Sequence, residues 1–290
     1  MSESTAVIGF IGLGRMGSLL ARRFVDAGYA LIGFDQAGTA ERLPPGARAA
    51  ASTAEVAAES DVVFLSLPDG AASIAVARQL AAAAPRRATT VVDLSTIGIA
   101  SARECAAILG GAGIGYVDAP VSGGPAGARD GTLAVMTATE AATFERLRPL
   151  LGVFGRNLFR LGDAPGQGQA MKLVNNFLAA TNLAAASEAM LFGAREGLDL
   201  GQMIDVVNAS SGRSAATQEK FPRSIIPGGY DYGFAAALMA KDVTLYRESV
   251  AAADTADPLG AAVAELWQRF NGACPGVDFT YIYEYLRQGV

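Results

Sequence analysis

The chain has 290 residues, 51% of them hydrophobic, and a formal net charge of −5. That much apolar material at that length excludes a disordered chain and suffices for one large domain or two ordinary ones. The 23 basic residues are scattered, which argues against a nucleic-acid or anionic-membrane footprint and leaves room for a small ligand.

From the N-terminus, Val7 to Ile11 reads as a strand ending in a glycine-rich turn, and Ser18 to Ala27 carries Leu19, Leu20, Phe24 and Val25 at helical spacing. Tyr29 to Phe34 reads as a second strand. A helix over Ser52 to Glu59, a strand over Asp61 to Ser66, a helix over Ala71 to Ala84 and a strand over Thr90 to Leu94 follow. Helix Ile99 to Leu109 and strands Gly115 to Asp118 and Thr132 to Thr137 complete a first domain, 1–163. Alternating strands and helices predict βαβ units and a parallel sheet covered on both faces.

Residues 164–290 form a second domain, and no convincing strand follows Gly168. Gln169 to Arg195 is apolar almost all round, which predicts a helix of roughly 40 Å buried between two bodies. Lys172, Asn175, Asn176, Asn182 and Glu188 interrupt it too often for a lipid-facing span. Further helices are predicted over Leu200 to Asn208, Met239 to Ala253 and Pro258 to Phe270. The pattern thus gives an α/β domain followed by a second, all-α domain.

Two cysteines, Cys105 and Cys274, lie far apart, and the chain has no histidine. An ordinary zinc site is therefore not expected, and both thiols are read as reduced. Met1 to Thr5 lacks the basic segment of a signal peptide, which predicts a cytoplasmic protein.

Gly12, Gly14 and Gly17 follow the first strand and open the first helix, the context a dinucleotide fingerprint requires. The first glycine permits the turn, the second lets backbone approach a pyrophosphate, and the third allows close helix–strand packing. Asp35 ends the second strand and is placed to accept hydrogen bonds from adenosine ribose hydroxyls. Its charge would repel a 2′-phosphate, so NAD is expected over NADP, with Arg42 the nearest basic residue that could alter this.

Lys172 and Asn176 stand four apart near the head of the long helix, on one face. Without histidine, Lys172 is the leading acid/base candidate. Removing a hydroxyl proton needs a neutral amine, which burial and a second cation such as Lys241 would favour. Asp93 to Thr96 and Asp118 to Gly124 both end strands, where the crevice of an open α/β sheet binds ligands. The backbone amides and the Ser122 hydroxyl of the second segment suit a carboxylate. The bland alternatives are a snorkelling Lys172, a simple turn at Ser122-Gly123-Gly124, and a solvated Lys241-Asp242 pair.

The block Gly9-Phe10-Ile11-Gly12-Leu13-Gly14-Arg15-Met16-Gly17, the Asp93 to Thr96 and Asp118 to Gly124 segments, Gly168 to Asn176, and Lys241-Asp242 occur in one order along nearly the whole chain. In them the sequence resembles the 3-hydroxyisobutyrate dehydrogenase family of β-hydroxyacid dehydrogenases. The resemblance implies an α/β Rossmann-like dinucleotide-binding N-terminal domain joined by the long helix to an all-α C-terminal domain, and reversible hydride transfer between a nicotinamide and a small β-hydroxy acid or its semialdehyde, in a homodimer or homotetramer. It implies Lys172 as general acid/base, Asn176 orienting substrate, and Ser122, Gly123 and Gly124 holding the substrate carboxylate. Gly12, Leu13, Gly14, Arg15, Met16, Gly17, Asp35, Leu67, Pro68 and Thr96 would bind cofactor, and Lys241 would lie near both ligands.

One departure concerns the substrate: Ala215, in Ser210 to Ala215, aligns where many members carry tryptophan, and Arg213 could add an anion contact. An imine reductase shares the architecture but typically lacks the lysine, and a non-catalytic dinucleotide sensor has no need of an acid/base residue. Neither accounts for Lys172.

Overall fold

The computed structural model describes residues 6–289. Met1 to Thr5, on which the expectation of no signal peptide rests, lie outside them. The chain comprises two compact units, 1–172 and 173–290.

The first unit alternates β1 (Ile8–Ile11), α1 (Gly17–Asp26), β2 (Leu31–Phe34), β3 (Arg48–Ala49), α2 (Thr53–Glu59), β4 (Val62–Leu65), α3 (Gly70–Ala82), β5 (Thr90–Asp93), α4 (Ile99–Gly111) and β6 (Gly115–Asp118). It continues with β7 (Val121–Ser122), α5 (Gly124–Asp130), β8 (Leu133–Ala138), α6 (Ala141–Leu151) and β9 (Gly155–Gly162). The sheet order is β3-β2-β1-β4-β5-β6-β8-β7, with β9 paired to β8. Strands β1 to β6 are parallel, with Ile8 opposite Leu31 on one side and Val62 on the other.

Alternation sends Ile8, Phe10, Phe64 and Val92 into one core layer and Ile11, Val63, Leu65 and Val91 into the other. In the first layer Phe24 packs on Phe64 and Phe154 with ring centroids 4.8 and 5.7 Å apart. Such a doubly covered sheet places the carboxyl ends of β1, β2, β4, β5 and β6 along one edge, where the loops are free to bind.

The sheet is parallel as expected except at β8, which runs antiparallel to β6 and β7. Strands β3, β7 and β9 and helix α5 carry no clear sequence pattern, and α6 went unpredicted although Phe144, Leu147, Leu150 and Leu151 recur at helical spacing. Edge strand β9, for instance, buries little of Arg156, Asn157, Phe159 and Arg160 and so lacks a hydrophobic alternation.

Helix α7 (Gln167–Arg195) passes from the first unit into the second. The second unit then contains α8 (Leu200–Asn208), a π-helical stretch Ala216–Ile225, α9 (Ala236–Ala252), α10 (Pro258–Ala273), a 3₁₀ turn Phe279–Tyr281 and α11 (Ile282–Arg287). Its core gathers Ala180, Leu183 and Met190 of α7 around Trp267, Phe270, Phe279 and Val243. Helix α7, expected to be buried, leaves Met171, Val174, Leu178 and Phe192 exposed on the single chain. Both cysteines are free thiols, Cys105 buried and Cys274 half-buried.

Candidate active site

At the end of β1 the backbone of Gly12 adopts φ +92°, and a Cβ there would lie 2.3 Å from the Ser66 carbonyl oxygen. A Cβ on Gly17 would lie 1.9 Å from the Gly12 carbonyl, so α1 packs against the turn with no room for a methyl group. Gly14 differs: nothing lies within 4 Å of its Cβ position. Two glycines close the turn and the middle one leaves an open approach, the shape a pyrophosphate over a helix N-terminus requires. The residues present therefore fit a dinucleotide.

Asp35 follows β2, and its Oδ2 accepts the Leu13 backbone N–H at 2.7 Å while Oδ1 accepts that of Ala37 at 2.8 Å. The Arg42 guanidinium lies 3.7 Å from the same carboxylate, closer than the sequence suggested. Leu13, Gly14, Arg15, Ser18, Glu41 and Arg42 line an open cavity of about 380 Å³. Met16 stands at the N-cap of α1 with its side chain half-buried.

The loops after β4 and β5 are joined, since the Leu67 N–H donates to Ser95 Oγ at 2.8 Å, bringing Leu67-Pro68 beside the Thr96 segment. Asp93, wholly buried, accepts the Ser95 N–H at 2.9 Å. Burial raises its carboxyl above the ordinary range, against hydrogen bonds from Ser95 that pull it down.

Beyond β6, Ser122 ends β7 opposite Ala134, and Gly123 and Gly124 follow at φ +131° and +63°. Both angles suit glycine, so the turn that follows Ser122 depends on this sequence.

Asp118, quoted in the sequence motif but given no role, caps the start of α7. Its Oδ1 accepts the Gly166 N–H at 3.1 Å and its Oδ2 the Gln169 N–H at 3.0 Å. Gly168 makes this approach possible, because a Cβ there would lie 2.8 Å from Asp118 Oδ2 and 2.4 Å from the Met136 carbonyl. Burial pushes the Asp118 carboxyl up to about 6, against the backbone N–H groups of Gln169 and Gly166 that lower it.

A folded-state value above the ordinary 3.8 means that protonation favours the fold. The contribution is complete below pH 3.8 and is lost as pH rises through about 6. Over that window Asp118 is expected to cost on the order of 2–3 kcal/mol of stability. Asp118→Asn should therefore flatten the fall of Tm with pH between these values, apart from a constant offset. Parallel Tm profiles for the two proteins would refute this.

Lys172 is 7% exposed and lies on α7 one turn before Asn176. In the second unit, Asn176 Nδ2 donates to Asp242 Oδ2 at 2.5 Å, and Asn175 Nδ2 donates to Asn176 Oδ1 at 3.0 Å. Lys241 Nζ lies 3.2 Å from Asp242 Oδ1. Asp242 is buried, so this is no solvated surface pair: the carboxylate on α9 sets the Asn176 amide and offsets the Lys241 charge. Arg213 and Ala215 are exposed just before the π-helical stretch. Sequence reasoning assigned no role to Asp242 or Gln169. The signal that could have marked both is a polar residue inside an apolar helix pattern.

The NAD-binding domain of 6-phosphogluconate dehydrogenase matches residues 7–162, and the NAD-binding family of NADP-dependent 3-hydroxyisobutyrate dehydrogenase matches 166–286. The chain is 36% identical over 270 residues to the 2-(hydroxymethyl)glutarate dehydrogenase of Eubacterium barkeri, covering 92% of this chain and 89% of that one. It is 37% identical over 281 residues to the NAD-dependent L-serine dehydrogenase of Pseudomonas aeruginosa, covering 90% and 91%. Among solved structures, Mycobacterium tuberculosis 3-hydroxyisobutyrate dehydrogenase with L-serine superposes with a TM-score of 0.90 at 34% identity, covering 98% of this chain and 99% of that one.

Proposed function

The chain belongs to the 3-hydroxyisobutyrate dehydrogenase family, and from that premise we propose how its residues divide the work. It is an NAD(P)-dependent oxidoreductase acting on the hydroxyl group of a hydroxy acid. The imine-reductase and non-catalytic readings find no comparable support. The bound nicotinamide supplies the hydride acceptor in oxidation and the donor in the reverse direction.

In our reading Lys172 removes the hydroxyl proton as the carbon gives up hydride, and returns a proton to the carbonyl oxygen in reduction. The observation that carries this is a lysine almost wholly buried at the start of an apolar helix, one turn from an asparagine set by a buried carboxylate. A surface lysine would not be placed so. Asn176 orients the substrate, its amide held by Asp242. The Ser122 hydroxyl and the amides of Gly123 and Gly124 hold the substrate carboxylate, and Lys241 adds positive charge.

Gly12 to Gly17 carry the pyrophosphate, Met16, Leu67, Pro68 and Thr96 line the ring, and Asp35 takes the adenosine ribose. Arg42 beside Asp35 softens the discrimination against a 2′-phosphate, so we expect the NAD preference in kcat/KM to be modest. The exposed Met171, Val174, Leu178 and Phe192 support a homodimer or homotetramer in which a second copy covers this face. We place the protein in the cytoplasm, the polar residues along α7 arguing for a protein-covered rather than lipid-covered helix.

The test is a panel of 3-hydroxyisobutyrate, L-serine and 2-(hydroxymethyl)glutarate, each with NAD and NADP, with the assembly mass read by light scattering. Turnover of at least one member and a mass above 29.7 kDa are expected. Silence across the panel would count against the substrate class. A clear NADP preference would remove the role given to Asp35.

A further inference from the structure

The first turn of α7 is held by side chains drawn from elsewhere in the first unit, beyond what a helix start requires. Helix N-termini leave four N–H groups unpaired, and a local residue ordinarily caps them. Here the cap is Asp118 at the end of β6. Gln169, wholly buried, then turns its amide to the loop after β5. Its Oε1 accepts the N–H groups of Ile97 and Gly98 at 3.0 and 3.2 Å, and its Nε2 donates to the Ser95 carbonyl at 3.0 Å.

Ser95 in turn receives the Leu67 N–H on its hydroxyl. One amide therefore ties α7 to the loop after β5, and through Ser95 to the loop after β4. Burial alone would be served by leucine or methionine. Three directional bonds specify an angle and a height for the helix start.

Lys172 follows Gln169 by three residues and shares its side of the helix. We propose that Gln169, backed by Asp118, is a positioning residue that sets the Lys172 amine against the loops carrying Leu67, Pro68 and Thr96. The proposal rests on the reading of Lys172 as the acid/base residue. A displacement of about 1 Å at a reacting group can cost on the order of 100-fold in rate.

The test compares Gln169→Met, which keeps length and removes all three bonds, with Gln169→Glu, which keeps the oxygen that accepts from Ile97 and Gly98 and puts a carboxyl oxygen in place of the N–H group that donates to Ser95. Lys172→Ala is run in parallel. Each full-length protein is assayed with NAD and 3-hydroxyisobutyrate or L-serine, well below its own Tm. NAD affinity is read separately by fluorescence.

The expected result is a kcat about 10–100-fold lower in Gln169→Met, with a raised solvent deuterium isotope effect as proton transfer slows. NAD affinity should stay within about threefold, and Gln169→Glu should be intermediate. If Gln169→Met does not fold, a lowered kcat with a raised isotope effect in Gln169→Glu carries the proposal. A kcat within about twofold of the parent and an unchanged isotope effect would overturn it. A loss explained entirely by weaker NAD binding would overturn it as well. Retained turnover in Lys172→Ala would instead sink the acid/base reading, whereas a dead Lys172→Ala beside normal Gln169 variants would sink this proposal alone.

Discussion

Lys172→Ala is expected to lower kcat by about 10²–10⁴-fold in both directions while NAD affinity changes by no more than about threefold. The expectation follows from the proposed division of roles. The turn proposed to carry the pyrophosphate, Gly12 to Gly17, and its partner Asp35 are built from β1, α1 and β2, remote in sequence from α7. Loss of the amine removes proton transfer and leaves that turn intact. A thermal melt of the same variant separates loss of chemistry from loss of folding. Steady-state rates in both directions, a fluorescence titration with NADH and a thermal melt decide the matter. Turnover within tenfold of the parent would take Lys172 out of the chemistry.

Gly17→Ala is expected to lower both stability and cofactor affinity, whereas Gly14→Ala should lower affinity alone. A methyl at Gly17 would sit 1.9 Å from the Gly12 carbonyl oxygen, so α1 must shift by about 1 Å or more from the turn. Overpacking of this kind costs about 1–3 kcal/mol, and it moves the helix N-terminus that should face the pyrophosphate. At Gly14 nothing lies within 4 Å of the added methyl, so the fold is undisturbed and only the approach of a ligand is blocked. The readouts are Tm without cofactor and the NAD dissociation constant. Equal Tm loss in the two variants, or unchanged NAD affinity in Gly14→Ala, would refute the assignment of the turn.

Much of the first unit was legible because its parallel strands are short apolar runs bounded by turns. Val62 to Leu65 and Thr90 to Asp93 announce themselves in this way. The glycine fingerprint was legible for a related reason, since each glycine answers a local backbone demand. The elements between Val121 and Gly162 were less so. Strands β7 and β9 are stabilised by pairing with β8 rather than by an alternating face, and α6 carries Pro149 inside it. In the second unit the π-helical stretch Ala216–Ile225 also escaped notice, its few apolar residues, Ala216, Phe221 and Ile225, being interrupted by Pro222, which reads as a helix breaker.

The candidate site divides along the same line. Lys172, Asn176, the glycine turn, Asp35 and the Ser122 loop were named from residue type and spacing, which depend on near neighbours. The sequence by itself determined the fold class, the dinucleotide turn and the acid/base candidate. Only the tertiary structure decided that Asp118 caps α7 from 48 and 51 residues away, that Gln169 spans 71 to 74 residues to reach the Ser95 to Gly98 loop, and that Asp242 sets Asn176 across 66. The reason is that a buried polar group must find a hydrogen-bonding partner wherever the folded backbone brings one. Periodicity records which face a residue takes and carries no record of which distant group will meet it.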